Sequence, residues 1–241
     1  MLAGLIDHAA LFPPASMALD EALAADAEAR SGEHGWVIGR FVVPVAALGQ
    51  LPDNGLPLSV VLRGPADAAL VTGVAGVEAV EIPMDGARPR PSELVTAYRE
   101  LQPLGVDAYF ELVLDDDWRD SVPAAVGALA ALGARAKLRC GGAAIPSVEQ
   151  VALVIACCRE AGVPFKATAG LHHAIRRGEE HGFLNLMAAV TAPRDRLAEV
   201  LAEEDPASLE LDEASRDLFA GFGSCSWREP VEDLRELGML P

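Results

Sequence analysis

Eight short apolar runs separated by helix-like segments are the feature of this sequence that most restricts its fold. The runs, each a strand candidate, are GLIDHAALF, WVIGRFVVP, PLSVVLRG, VEAVEIPM, DAYFELVL, RAKLRCGG, VPFKATAG and LFAGFGSCSW. Between them lie stretches rich in Ala, Leu and Glu, such as residues 16–34 and 121–133, whose apolar spacing suits helices that cover a sheet. Strands that alternate with helices favour a parallel sheet.

Eight such units in 241 residues match the size of a closed barrel, for which about 250 residues are typical. We therefore predict the fold class α/β, with residues 1–241 forming a single (β/α)8 TIM barrel domain. An open, doubly wound sheet is the main alternative. The longest connection, residues 171–217, is predicted to form two helices.

Charge and hydropathy restrict the partners of this chain. The formal net charge of −17 opposes binding to nucleic acid and to anionic membranes, since a phosphate backbone is bound by clustered cations. The sequence contains no uncharged run of about 18 apolar residues, and no basic region precedes the apolar N-terminus. We expect a cytoplasmic protein with a small-molecule partner and leave a homo-oligomer open.

The four cysteines do not indicate a metal centre. They lack the paired spacing of a zinc site, and two of them are sequence neighbours in a predicted helix. These cysteines are Cys140, Cys157, Cys158 and Cys225. We interpret them as reduced thiols that pack in the interior.

Lysine is almost absent from the chain, and this depletion draws attention to the lysines that remain. Lys and Arg together number 19, and only Lys137 and Lys166 are lysines. Arginine stays protonated at any ordinary pH, whereas a lysine amine can lose its proton and act as a nucleophile. Each lysine occupies a predicted strand, so we expect a role for which arginine is unsuitable.

The alternation of side chains along a strand predicts where the two lysines point. Lys137 and Arg139 point to the same face of their strand, and Lys166 and Thr168 point to the same face of theirs. If these faces point into the barrel, the lysines meet near its axis, and the active site lies where the strands end. Two close ammonium groups repel, and this repulsion favours the neutral amine of one of them.

Three other interpretations remain open from the residues alone. Each lysine could extend to solvent at a strand end or pair with a carboxylate, such as Glu81 or Glu111. The chain could be a metal-dependent barrel hydrolase, whose ligands would come from Asp7, His8, Glu81, Glu111, His172 and His173. Against the hydrolase, no His-x-His pair ends the first strand, and His8 is better explained as a core or hydrogen-bonding residue. The chain could also be a catalytically inactive barrel.

Five segments resemble strands of the deoxyribose-phosphate aldolases. LIDHAALFPPAS is similar to their first strand, GVEAVEIPM to the fourth, AKLRCGG to the sixth, VPFKATAGLHH to the seventh and FAGFGSCSW to the eighth. The order and spacing match along nearly the whole chain. The resemblance implies that Lys137 is the Schiff-base lysine and that Lys166 is the second lysine, ahead of a glycine-rich phosphate loop.

The sequence departs from that family at several positions. Arg139 follows the Schiff-base lysine where the family has small hydroxyl residues, and Glu81 replaces an aspartate. The seventh-strand loop has Ala169-Gly170 in place of two glycines and continues into His172-His173. The connection into the eighth strand is also longer. The resemblance therefore predicts a class of chemistry and not a particular substrate.

Taken together, the residues and the resemblance predict a class I aldolase or related carbon–carbon lyase. It would act on a small, anionic carbonyl compound, without metal or organic cofactor. Lys137 would attack the carbonyl, Lys166 would favour the neutral amine by its charge, and Glu81 would move protons with support from Asp7. The substrate would be bound by Arg139, Gly141, Gly142, Thr168, Gly170, His172, Gly223, Ser224 and Ser226. A catalytic role for His172 or His173 is left open.

Overall fold

The eight strands close into a parallel barrel in which each strand pairs with its sequence neighbours and the first pairs with the last. The computed structural model describes residues 1–84, 91–142 and 144–240. The strands are β1 Ile6–His8, β2 Ile38–Pro44, β3 Leu58–Val61, β4 Val77–Ile82, β5 Asp107–Glu111, β6 Arg135–Arg139, β7 Phe165–Thr168 and β8 Phe219–Ser224. The prediction of a single (β/α)8 TIM barrel is confirmed.

Each predicted run contains one strand, and each strand is shorter than its run. The runs end in residues that belong to the loops at the mouth of the barrel, such as Cys140, Gly141 and Gly142 after β6. Apolar content does not separate a strand from the buried loop that follows it, so the sequence overestimates the strand lengths.

The helices lie outside the strands. They are α1 Leu19–Ser31, α2 Ala68–Val71, α3 Pro91–Leu101, α4 Trp118–Leu132, α5 Val148–Ala161, α6 Phe183–Thr191, α7 Leu197–Ala202 and α8 Arg228–Glu236. The helix α5 begins in a capping box, in which Ser147 and Gln150 satisfy each other's backbone N–H groups. After β2 the chain forms only the 3-10 helix Val45–Gln50 before β3.

The long connection before β8 contains the two predicted helices, α6 and α7. The acidic segment that follows α7 is not a continuous helix, since it forms short 3-10 turns at Pro206–Ser208 and Glu213–Asp217. The carboxylates of Asp205 and Asp212 accept hydrogen bonds from backbone N–H groups two residues ahead, which favours turns at these positions.

The apolar core lies between the strands and the helices, where Phe183 of α6 stacks on Phe222 of β8 with ring centroids 4.5 Å apart. The interior of the barrel is different, because it holds charged side chains that are almost fully buried. These are Asp7, Glu81, Lys137 and Lys166. No helix in the described parts of the chain is long and apolar enough to cross a membrane.

Candidate active site

A cavity of about 620 Å³ opens where β6, β7 and β8 end. Its deep end is formed by Lys137 and Lys166 together with the carboxylates of Glu81 and Glu111. Its rim is formed by the loops that follow the strands. This is the end at which barrels of this type carry their active sites.

Lys166 on β7 is enclosed by carboxylates. Its Nζ donates to Asp7 Oδ2 at 2.6 Å and to Glu81 Oε1 at 2.7 Å, and its side chain is 2 % exposed. Burial alone would lower the pKa of Lys166, but the charges and hydrogen bonds of Asp7 and Glu81 outweigh it and raise the pKa above its usual range. Lys166 is therefore a permanent cation.

Lys137 on β6 lies in register with Lys166 and has looser surroundings. Its Nζ lies 3.2 Å from Glu81 Oε2 and 3.2 Å from Glu111 Oε2. Glu111 is on β5, directly opposite Lys137 in the strand pairing. The lysine thus lies between two carboxylates at the deep end of the cavity.

Glu81 on β4 bridges the two lysines. Its Oε1 accepts hydrogen bonds from Lys166 and from Ser59 Oγ, the latter at 2.7 Å, and its Oε2 faces Lys137. Burial alone would raise the pKa of Glu81, but the charges of Lys166 and Lys137 outweigh it and hold the pKa well below its usual range. The two lysines thus meet inside the barrel with a carboxylate between them.

Asp7 on β1 lies behind Lys166 and does not line the cavity. Its Oδ1 accepts a hydrogen bond from the backbone N–H of Arg40 at 2.7 Å. The carboxylate can approach β2 this closely because residue 39 is glycine, where a Cβ atom would lie 2.5 Å from Asp7 Oδ1. Asp7 is therefore fixed as a counter-ion for Lys166, and any part in catalysis would be exerted through Lys166.

Arg139 extends from the end of β6 to the rim, where it is exposed. Its Nε donates to the carbonyl of Gly141 at 3.1 Å, and its guanidinium lies against Gly142. Arg139 shares a strand face with Lys137, as the alternation predicted. One cation is therefore at the deep end and the other at the mouth.

The loops after β6 and β7 contact each other through their backbones. A Cβ atom on Gly141 would lie 2.7 Å from the Cα of Gly170, so both glycines are required for this approach. Ala169 adopts a left-handed conformation with φ of 60°, which is unfavourable for a residue with a Cβ atom. The rim therefore contains backbone strain next to Thr168, which also lines the cavity.

The loop after β8 only partly matches the prediction. Gly223 and Ser224 line the cavity, but Ser226 does not, and Cys225 takes its place. The Ser224 hydroxyl donates to the carbonyl of Ser226 at 2.6 Å. The carbonyl of Ser226 therefore holds the Ser224 hydroxyl, and substrate binding by Ser226 stays a prediction.

The two histidines after β7 lie beside carboxylates at the mouth. His172 lines the cavity, and its Nδ1 lies 3.1 Å from Glu229 Oε2. His173 lies between Glu180 and Asp233, at 3.6 Å from each, and does not line the cavity. Of the two, only His172 is in a position to contact a substrate.

His8 is a core residue, as expected. Its Nδ1 is 3.1 Å from Asp26 Oδ1 on α1, and Phe41 packs edge-on against its ring. Within residues 1–84, 91–142 and 144–240, no three His, Cys, Asp or Glu side chains form a group that could hold a metal ion. The carboxylates inside the barrel, which were candidate ligands for the hydrolase, are engaged by the two lysines instead.

The sequence did not identify several residues that shape the site. Glu111 was considered only as an ion-pair partner or a metal ligand, although its place at the end of a strand next to β6 is a usable signal. Ser59 is a single polar residue in the apolar run PLSVVL, and such a residue indicates a buried hydrogen bond. One wall of the cavity is apolar and is formed by Phe12, Val42, Val61, Pro83 and Ile145.

Solved structures resemble this barrel along nearly its whole length. The deoxyribose phosphate aldolase from Aeropyrum pernix, described as a tetramer, is 17% identical with a TM-score of 0.59, and the match covers 98% of this chain and 92% of that one. A second protein described as an aldolase is 16% identical with a TM-score of 0.46, covering 99% and 97% of the two chains. No family model and no curated protein matches the sequence.

The chain therefore shares the (β/α)8 fold of the Aeropyrum pernix protein. The resemblance that the sequence indicated extends to the three-dimensional structure, and at this low identity it establishes the fold. The same fold supports many chemistries, so the reaction must be argued from the residues in the cavity.

Proposed function

We propose that this protein is a Schiff-base lyase of the class I aldolase type, with Lys137 as the nucleophile. The observation that carries the proposal is the asymmetry between the two lysines. Both lysines line the cavity, but Lys166 is held as a cation by two short ion pairs, whereas Lys137 has longer contacts. Only an amine that can lose its proton attacks a carbonyl, so Lys137 is the better candidate.

The reaction begins when the neutral amine of Lys137 adds to the carbonyl carbon of the substrate. Loss of water then forms an iminium ion, which withdraws electrons from the neighbouring bonds and allows a carbon–carbon bond to break or form. The carboxylate of Glu81 lies where the positive iminium nitrogen develops and stabilises it. Lys166 and Asp7 hold Glu81 in place for this role.

An anionic group on the substrate would be bound at the rim. Arg139 supplies a guanidinium, and the glycine loops at Gly141 and Gly170 supply backbone that a substrate can approach closely. The apolar side chains that also line the cavity would accommodate carbon substituents. We therefore propose a small carbonyl compound with an anionic group at one end.

Reductive trapping tests this proposal directly. The full chain is incubated with acetaldehyde, propanal, acetone and pyruvate in turn, reduced with borohydride, and examined by intact-mass analysis and peptide mapping. We expect a covalent adduct on Lys137 with at least one of these carbonyl compounds. Absence of any adduct would refute the proposed function and favour the inactive barrel.

A further inference from the structure

The two glutamates beside Lys137 differ in how far their oxygens are engaged. Glu81 is bound by Ser59, Lys166 and Lys137 through both oxygens, and its side chain is 3 % exposed. Glu111 lies 3.2 Å from Lys137 Nζ through Oε2, and in the described part of the chain that buried oxygen forms no hydrogen bond. Its side chain is 13 % exposed and lines the cavity.

This difference matters because a proton carrier must bind a proton and release it within one turnover. If Glu81 were protonated, two buried lysines would lose their shared counter-ion and Ser59 would lose an acceptor. Protonation of Glu111 weakens one ion pair and requires no hydrogen bond to break. The sequence assigned proton transfer to Glu81, and the geometry instead makes Glu81 a fixed counter-ion.

We propose that Glu111 is the catalytic base and acid that moves the proton on the carbon next to the reacting carbonyl. This inference rests on the proposed Schiff-base function. Once the iminium has formed on Lys137, the Glu111 carboxylate takes a proton from that carbon. The electron pair of the C–H bond forms a carbon–carbon double bond, and the iminium π electrons move to nitrogen, which gives an enamine and a neutral Glu111.

The reverse step uses the same residue. The enamine carbon takes the proton back from the Glu111 carboxylic acid, and the iminium is restored. Alternatively, the enamine carbon bonds to an aldehyde carbon, the π electrons of that C=O bond move to its oxygen, and Glu111 gives its proton to that oxygen as the iminium is restored. The geometry permits this step because Glu111 Oε2 is already 3.2 Å from the nitrogen that carries the substrate. The carbon that loses the proton is two bonds from that nitrogen, within about the 2.6 to 3.2 Å reach of a general base after small movements.

Deuterium exchange separates this step from iminium formation. The full chain and the matched variants Glu111→Gln and Glu81→Gln are incubated in deuterated water with the carbonyl compound of the trapping panel that forms the adduct. Exchange at the carbon next to the carbonyl is followed by NMR, and borohydride trapping is measured in parallel. For Glu111→Gln we expect trapping on Lys137 to persist while exchange falls by about a hundredfold or more, the usual range for loss of a general base. Glu111→Asp should restore part of the exchange.

Other outcomes would overturn the assignment. Exchange at the parent rate in a Glu111→Gln protein that still traps would show that another group moves the proton. Normal trapping with lost exchange in Glu81→Gln, but not in Glu111→Gln, would return the role to Glu81. Loss of trapping in both Glu111→Gln and Glu111→Asp would place Glu111 in iminium formation instead. Absence of trapping in the parent protein would refute the proposed function itself, and this inference with it.

Discussion

Lys137 and Lys166 lie opposite each other on neighbouring strands, yet their surroundings differ. Both border the cavity, but Lys166 is closed in by two carboxylates at 2.6 and 2.7 Å, whereas Lys137 has two at 3.2 Å. The comparison teaches that residue type and strand position do not by themselves distinguish two lysines. The distance of the counter-ions is what separates a firmly held cation from a candidate nucleophile.

The largest expected effect separates the two lysines by their chemistry. The variant Lys137→Arg should lose all covalent trapping, because a guanidinium keeps the charge but does not form an imine. Intact-mass analysis after borohydride reduction measures the loss, and circular dichroism with thermal unfolding checks that the variant is folded. Trapping at the parent level in Lys137→Arg would mean that the nucleophile lies elsewhere, with Lys166 as the first alternative.

The next effect concerns stability, to which Lys166 is expected to contribute more than Lys137. Lys166→Met should lower the free energy of unfolding by about 3 to 5 kcal/mol, since Asp7 and Glu81 would stay buried without their shared cation. The matched variant Lys137→Met should cost less, because its ion pairs are longer. Urea unfolding at neutral pH compares the two. Equal losses of unfolding free energy in the two variants would contradict the inference that Lys166 is held more firmly than Lys137.

The stabilisation from Lys166 should also depend on pH. Folding raises the pKa of Lys166, so the folded state holds a proton that the unfolded state releases above about pH 10.4. Its contribution is therefore complete below that pH and declines as the pH rises further. The difference in unfolding free energy between the parent and Lys166→Met should be constant from pH 8 to about pH 10 and shrink above it.

A smaller effect tests the rim above Lys137. Arg139→Ala should raise the Michaelis constant about ten- to a hundredfold for a phosphorylated or carboxylated substrate, because a charge-assisted hydrogen bond contributes about 1.5 to 3 kcal/mol. The constant for a neutral analogue should change little. Arg135→Ala serves as the control, since Arg135 begins the same strand at the far end of the barrel and pairs with Asp107. Equal effects of Arg139→Ala on both substrates would refute its anion-binding role.

The smallest effect tests the loop above Lys166. Ala169→Gly should raise the free energy of unfolding by about 1 kcal/mol or less, because glycine relieves the left-handed strain at φ of 60° but adds freedom to the unfolded chain. Ala167→Gly, two residues earlier in the extended strand, should instead lower stability by about 0.5 to 1 kcal/mol. Denaturant unfolding of the two variants measures the difference. A loss of stability in both variants would contradict the claim that the backbone at Ala169 is strained.

The fold could be predicted from the sequence because its signals are local. Each strand candidate is a short apolar run, and the helices between them show their own composition, so the number and order of the strands could be counted. The structure of the acidic segment after α7 was harder to predict. Its composition, rich in Ala, Leu and Glu, favours a helix, whereas Pro206 and the aspartates before its turns favour turns.

What the sequence by itself determined is the number of strands, the presence of only two lysines and the face that each shares with its strand neighbours. Only the tertiary structure decided which charges surround those lysines. Asp7, Glu81 and Glu111 come from β1, β4 and β5, and barrel closure and strand register bring them to β6 and β7. The physical reason is that strand alternation depends on adjacent residues, whereas an ion pair inside the barrel depends on strands that lie far apart in the chain.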